Sequence, residues 1–86
     1  MTDSIEAKLL AIVNILNSKL PKNDISNIRE LVQAREWGIG FENLCTQIFE
    51  YDIRIDKIIY DQIKAVGIFL ELPKETWEIL QKLIIE

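Results

Sequence analysis

The sequence predicts an all-α fold, a compact bundle of about five short helices that forms one domain over residues 1–86. Three observations lead to this prediction. Apolar side chains recur at the spacing of one helical face, residues that start or stop helices separate the segments, and no run alternates apolar and polar residues long enough for a β-strand.

The first predicted helix begins at Asp3 or Ser4, whose short side chains can cap the free amides of a first turn, and it stops at Pro21. Its single apolar stripe comprises Ile5, Leu9, Ile12, Val13, Leu16 and Leu20. The second predicted helix follows a polar turn, with Asp24 as its cap. Its apolar face comprises Ile25, Ile28, Leu31 and Val32.

The third predicted helix begins near Glu36 and is central to the core. Its apolar face comprises Phe41, Leu44, Cys45, Ile48 and Phe49, and its opposite face is polar. Asp56 is predicted to cap a fourth helix, which buries Ile59, Ile63, Val66 and Leu70. The fifth predicted helix runs from Pro73 to about Ile84, with an apolar side comprising Trp77, Leu80 and Ile84.

The residue types present argue against an enzyme. Histidine is absent and Cys45 is the single cysteine, so imidazole catalysis, thiolate zinc sites and an intramolecular disulfide are excluded. Gly38-Ile39-Gly40 lacks a third glycine and a preceding strand, so it indicates a helix start and no dinucleotide site. We therefore predict no catalytic residue, no cofactor and no metal, with Cys45 acting as a small core hydrophobe.

The amino-terminal sequence has no basic region, and its longest early apolar run, 9–13, is short. The sequence thus predicts neither a signal peptide nor a membrane span, and a cytoplasmic location.

Charge is distributed unevenly along the chain. The net charge is -4, and residues 42–86 hold nine acidic against five basic side chains. A helix-turn-helix site is disfavoured because no basic residue lies between Glu36 and Asp52 to approach phosphates. This pattern predicts a basic protein partner and no direct binding of nucleic acid.

Acidic residues from Glu36 to Asp61 are interleaved with aromatic ones, which are enriched at protein interfaces. The alternative interpretation is a solvated face with the aromatic rings in the core. The candidate partner-binding residues are Glu36, Trp37, Glu42, Asn43, Glu50, Tyr51, Asp52, Asp56 and Tyr60.

Segment 36–50, EWGIGFENLCTQIFE, resembles the central motif of the MafI-like immunity proteins of bacterial polymorphic toxin and contact-dependent inhibition systems. The motif positions are Glu36, Trp37, Gly38, Glu42, Asn43 and Glu50. The resemblance extends over about residues 25–84 through the Tyr51-Asp52 turn, Tyr60, Gly67 and Trp77. Gly40 departs from the alanine expected at its position.

The resemblance implies an immunity protein that binds the C-terminal domain of a cognate toxin, often a ribonuclease, and occludes its active or substrate-binding face. The alternative is a small helical adaptor or dimeric regulatory module unrelated to toxins. A homo-oligomer is possible but not implied, and the sequence leaves open which reaction the toxin catalyses and which motif residues serve packing.

Overall fold

Five helical segments confirm the predicted fold class in the computed structural model, which describes residues 4–85. They are α1 (Ile5–Ile15), α2 (Lys22–Gln33), α3 (Trp37–Glu50), α4 (Lys57–Phe69) and α5 (Glu75–Glu78), the last continuing as a 3₁₀ helix (Ile79–Leu83). Within the described residues, the β-type pairing is limited to an isolated parallel bridge between Ile55 and Ile84.

Helix α1 begins as predicted and ends earlier. Ser4 caps it by accepting a 3.2 Å hydrogen bond from the amide of Ala7, while the other candidate cap, Asp3, lies outside the described residues. The chain leaves the helix after Ile15, five residues before the predicted end. Asn and Ser at positions 17 and 18 compete for backbone hydrogen bonds, and Pro21 disfavours a helical residue before it. All six predicted apolar positions are nevertheless buried.

Helix α2 begins two residues before the predicted cap. Its N-cap is Pro21, whose carbonyl accepts a 3.1 Å hydrogen bond from the amide of Ile25. Asp24 is therefore a first-turn residue, where its charge is favoured by the positive end of the helix dipole, and the prediction that it caps α2 is wrong.

Helix α3 begins one residue after Glu36, as predicted. The prediction that Phe49 lies on its buried face is wrong: the side chain is 38% exposed. One residue after the fully buried Ile48, Phe49 is rotated by about 100° toward the edge of the helix.

Asp56 caps α4 as predicted, accepting a 2.8 Å hydrogen bond from the amide of Ile59. The predicted fifth helix is instead short and mixed, because α-helical geometry ends at Glu78 and the last turns are 3₁₀. Ile84 lies beyond this helix in an extended conformation, beside Ile55. The amide of Ile55 donates to the carbonyl of Leu83 at 3.1 Å, and the carbonyl of Ile55 accepts from the amide of Ile85 at 2.8 Å. The carboxyl-terminal segment is thereby fixed to the α3–α4 connection.

Three helices end in the same reversal. The amide two residues past the helix cap donates to a carbonyl five residues earlier: Glu36 to Leu31, Ile53 to Ile48 and Leu72 to Gly67. This is the Schellman motif, which requires a left-handed residue that is usually glycine. Here charged residues occupy that position, with φ of 67° at Arg35, 54° at Asp52 and 59° at Glu71.

The core forms where α1, α3 and α4 bring their apolar faces together with those of α2 and α5. Helices α2 and α3 pack closely at Gly40, where a Cβ would lie 3.0 Å from Cγ2 of Val32. Trp77 of α5 is buried with its ring against Gly67 of α4. None of the helices described between residues 4 and 85 has the length and apolar character needed to traverse a bilayer.

Candidate partner-binding surface

The solvent-facing side of α3 carries the largest part of the predicted site. Glu42 and Glu50 are exposed there, on the side of the helix opposite its buried stripe. We define the acidic face as this side of α3 together with the turn that follows it: Ile39, Glu42, Asn43, Thr46, Glu50, Tyr51 and Asp52. Helix α3 contains no lysine or arginine, so every charged side chain on this helix is negative.

At the carboxyl-terminal end of α3, the acidic face continues onto the first turn of α2. The neighbouring side chain of Asp24 raises the pKa of Tyr51 above its ordinary value. Sequence reasoning missed Asp24, which lies 27 positions before Tyr51. The signal available was the short connection between α2 and α3, because it makes them antiparallel and brings the start of α2 beside the end of α3.

Basic side chains border the acidic face on the side of the 3₁₀ helix. Nζ of Lys82 lies 5.7 Å from the centroid of the Phe49 ring, which is a cation–π contact. Arg54 donates to the carbonyl of Lys82 at 3.4 Å, and its own carbonyl accepts from Lys19 at 3.4 Å. Basic side chains therefore border the acidic face on this side, while Asp24 extends it on the α2 side.

Glu36 and Asp56 are exposed, but each lies at a helix start outside the acidic face. Glu36 immediately precedes the first residue of α3. It therefore lies about 21 Å along the helix axis from Glu50, the last residue of α3. The Asp56 carboxylate already holds the first turn of α4. Both can extend a contact surface, and Asp56 also has a structural role.

Trp37 and Asn43 are half-buried. The indole Nε1 of Trp37 donates to the carbonyl of Val32 at 3.1 Å, which joins the end of α2 to the start of α3. Asn43 Oδ1 accepts from Gln47 Nε2 at 3.4 Å along the same helix. Trp37 therefore packs against the core, while Asn43 lies at the margin of the acidic face.

The prediction that Tyr60 contacts a partner is wrong, because its side chain is buried in the core. Tyr60 lies on the face of α4 that also carries Ile63 and Gly67, at helical spacing. Its hydroxyl has no hydrogen-bond partner within the described residues. Burial raises the pKa of this tyrosine, and the neighbouring Gln81 side chain partly offsets that effect.

Comparison with protein-family models, curated proteins and solved structures gave no match to this chain.

The described part of the chain offers little for metal or nucleophilic chemistry. Among residues 4–85 no three acidic or thiol side chains are grouped so as to hold a metal ion. Cys45 is buried, and desolvation, aided by the charge of Glu42, raises the pKa of its thiol to about 12. A thiol held neutral in this way is a poor nucleophile.

The raised pKa of Cys45 predicts a loss of stability at alkaline pH. The unfolded thiol ionises near its ordinary pKa of 9.0 while the folded one does not until about 12, so its contribution to stability is full below pH 9 and is lost as pH rises toward 12. Urea unfolding of the wild type and of Cys45→Ala from neutral pH to pH 11 measures this loss. The free energy of unfolding should fall more steeply for the wild type; parallel curves would contradict the prediction.

Proposed function

We propose that this chain is a non-catalytic protein-binding module, and specifically an immunity protein that neutralises a cognate bacterial toxin in the cytoplasm of the producing cell. The proposed target is the basic C-terminal domain of that toxin, a nuclease with RNase as the favoured class. Inhibition is by occlusion: the acidic face covers the active or substrate-binding surface of the toxin. Inhibition by occlusion requires no catalytic group on this chain.

The observation that carries the proposal is the acidic face itself. A nuclease that binds phosphates presents basic side chains, and a negative surface that lacks lysine and arginine competes for them. Ile39 and Tyr51, about half exposed, supply apolar area among the charges. Such amphipathic residues add affinity at the centre of an interface, while the surrounding charges set association rate and register.

The rigidity of the bundle also supports occlusion. The buried side of α3 is closed by Phe41, Leu44 and Ile48, each with no exposed area. The acidic face is thus attached to a packed helix and loses little conformational entropy on binding. Each end of α3 is further fixed by a reversal of the chain, so the spacing of its charges is preset.

The experiment is to co-express the chain with the C-terminal domain of the protein encoded immediately upstream, and to measure growth rescue and the affinity of the purified complex. The test variant is the double reversal Glu42→Lys with Glu50→Lys. We expect its affinity to fall by roughly ten- to a hundredfold at low salt. The wild-type complex should weaken as salt rises, because exposed charges are screened.

A matched control changes the same charge elsewhere. Glu75→Lys with Glu78→Lys alters two exposed acids on α5 and leaves the acidic face intact. Its affinity should stay within about twofold of the wild type if net charge alone is unimportant.

For Asp52, asparagine is the suitable replacement, because it removes the charge and tolerates the left-handed backbone.

Two outcomes would count against the proposal. If both double variants, folded by circular dichroism, bind and rescue as the wild type does, the acidic face is not the interface. If no toxin domain is encoded beside the chain and none is neutralised, the alternative function is favoured, that of a helical adaptor or dimeric regulator. One feature supports that alternative: the exposed apolar side of α4.

A further inference from the structure

Arg29 is the exception among the basic side chains of this chain. Nine of the ten lysines and arginines are exposed, whereas Arg29 of α2 is half-buried. Arg29 forms no ion pair, because within residues 4–85 the only one joins Lys57 and Asp61. Its Nη2 donates to Oδ1 of Asn17 at 3.4 Å. A guanidinium has several N–H donors and favours oxyanion partners, so most of the binding capacity of Arg29 is unused.

Arg29 lines a cleft between one face of α2 and the loop that follows α1. The volume of this cleft is about 620 Å³, which lies in the range of small-molecule sites. Its α2 wall comprises Lys22, Ser26 and Arg29, which share one face of the helix because they are four and three positions apart. Asn17 and Ser18 form the opposite wall. We refer to this space as the α2 cleft.

The charged side chains that line the α2 cleft are all positive. They are Lys22 and Arg29, and no aspartate or glutamate of residues 4–85 lines it. Asp24 lies about 140–160° round the helix axis from both of them, on the flank of α2 near Tyr51. Glu30 is exposed beyond the cleft and is not part of its walls. The cleft therefore attracts anions, although the chain as a whole has a net charge of -4.

The polar groups of the α2 cleft suit a phosphate group. Lys22 and Arg29 can together balance a dianionic phosphate, and the hydroxyls of Ser18 and Ser26 can donate to its remaining oxygens. Side chains on a helix lean toward its amino terminus, so Arg29 reaches back toward Ser26. The planar fork of a guanidinium can then hold two phosphate oxygens. A carboxylate has a single charge and would leave one of the two cations without a partner.

The floor of the α2 cleft is apolar. It comprises Leu20, Pro21 and Ile25, and the side chains of Leu20 and Ile25 are buried. A phosphate group alone would leave this floor and much of the cleft unfilled. The rest of the ligand should therefore be apolar, because covering this floor removes apolar surface from water.

We propose that the α2 cleft binds a small phosphate monoester, with the phosphate between Lys22 and Arg29 and its apolar group against Leu20 and Ile25. The α2 wall spans about 10 Å from Lys22 to Arg29, which is enough for one such molecule. A nucleic-acid strand would extend beyond the cleft over a chain of net negative charge, so a polyanion is disfavoured. This inference does not depend on the toxin proposal, because the α2 cleft shares no residue with the acidic face.

The test is titration of the isotope-labelled full chain with phenyl phosphate at low salt, followed by the chemical shifts of its backbone amides. We expect saturable shifts at residues 17–29, with a dissociation constant on the order of 1 mM for this small probe. Inorganic phosphate lacks the ring, and benzoate lacks the second charge. Each should therefore bind at least about fivefold more weakly than phenyl phosphate.

Variants of Arg29 locate the phosphate. Arg29→Gln removes the charge and keeps a donor for Asn17, and it should weaken phenyl phosphate binding at least about tenfold. Arg29→Lys keeps the charge and loses the planar fork, so it should weaken binding about three- to fivefold. The matched control is Lys64→Gln, which removes the same charge from an exposed position on α4. Its affinity should stay within about twofold of the wild type.

Three outcomes would overturn the proposal. The first is the absence of saturable shifts at phenyl phosphate concentrations well above the expected dissociation constant. The second is equal weakening by Arg29→Gln and Lys64→Gln, because binding would then follow net charge alone. The third is inorganic phosphate or benzoate binding as tightly as phenyl phosphate, which would contradict the ligand class. None of these measurements involves a toxin domain, so their failure leaves the proposed function to its own test.

Discussion

Replacing Gly67 by alanine should destabilise the protein by about 3 kcal/mol and lower its melting temperature by about 10–20 °C. An added Cβ would lie 2.5 Å from Cζ3 and 3.0 Å from Cδ2 of the Trp77 indole, and closer still to Cε3. The indole is buried and its neighbours are packed, so either α5 or the ring has to shift. Thermal unfolding followed by circular dichroism measures the effect.

Gly38 provides the matched control for this prediction. It also lies inside a helix, but a Cβ there would meet nothing within 4 Å. Gly38→Ala should therefore raise stability by about 0.5–1 kcal/mol, because alanine is the better helix former. If the Gly67 and Gly38 variants melt at the same temperature, the Trp77 ring does not lie against Gly67 of α4.

Phe41→Ala should have the second large effect, a loss of about 3–5 kcal/mol. Phe41 is the largest side chain that is fully buried, and its removal leaves a cavity in the centre of the bundle. A domain of this size has a total stability of roughly 4–13 kcal/mol, so a large part of the population could unfold at growth temperature. Guanidinium unfolding monitored by tryptophan fluorescence gives the free energy.

The variant Ile39→Ala tests whether the stability lost in Phe41→Ala reflects burial or merely the loss of an apolar side chain from α3. It is 53% exposed and lies two positions before Phe41. Ile39→Ala should change stability by no more than about 0.5 kcal/mol. Equal losses for both variants would show that α3 is rotated about its axis so that Ile39 also faces the core.

The helices and most of the core were predictable because their determinants are local. Helical spacing identified the α1 stripe, and the Asp56 cap followed from a short carboxylate before an apolar periodic segment. The same spacing, extended to Tyr60, Ile63 and Gly67, would have placed Tyr60 in the core. That error came from weighing residue type over position on the helix.

Other features depend on contacts between segments that are far apart in the chain. Asp24 joins the acidic face only because two helices fold back on each other, and Ile55 pairs with a residue 29 positions later. The ends of α2, α3 and α4 also lacked the usual sequence signal. The left-handed position after each helix cap is occupied by arginine, aspartate or glutamate and not by glycine. Exposure on α3 could be predicted from periodicity.

The hydrogen bond between the amide of Ile85 and the carbonyl of Ile55 affects where a fusion partner can be attached to the chain. A purification tag or fluorescent reporter added at the carboxyl terminus would emerge beside the 52–56 turn, at the margin of the surface under test. Helix α1 ends near that turn, where Lys19 beyond its last residue contacts Arg54, and its first residue is about 15 Å from its last. A fusion placed before α1 therefore lies farther from the 52–56 turn than one placed after Ile85.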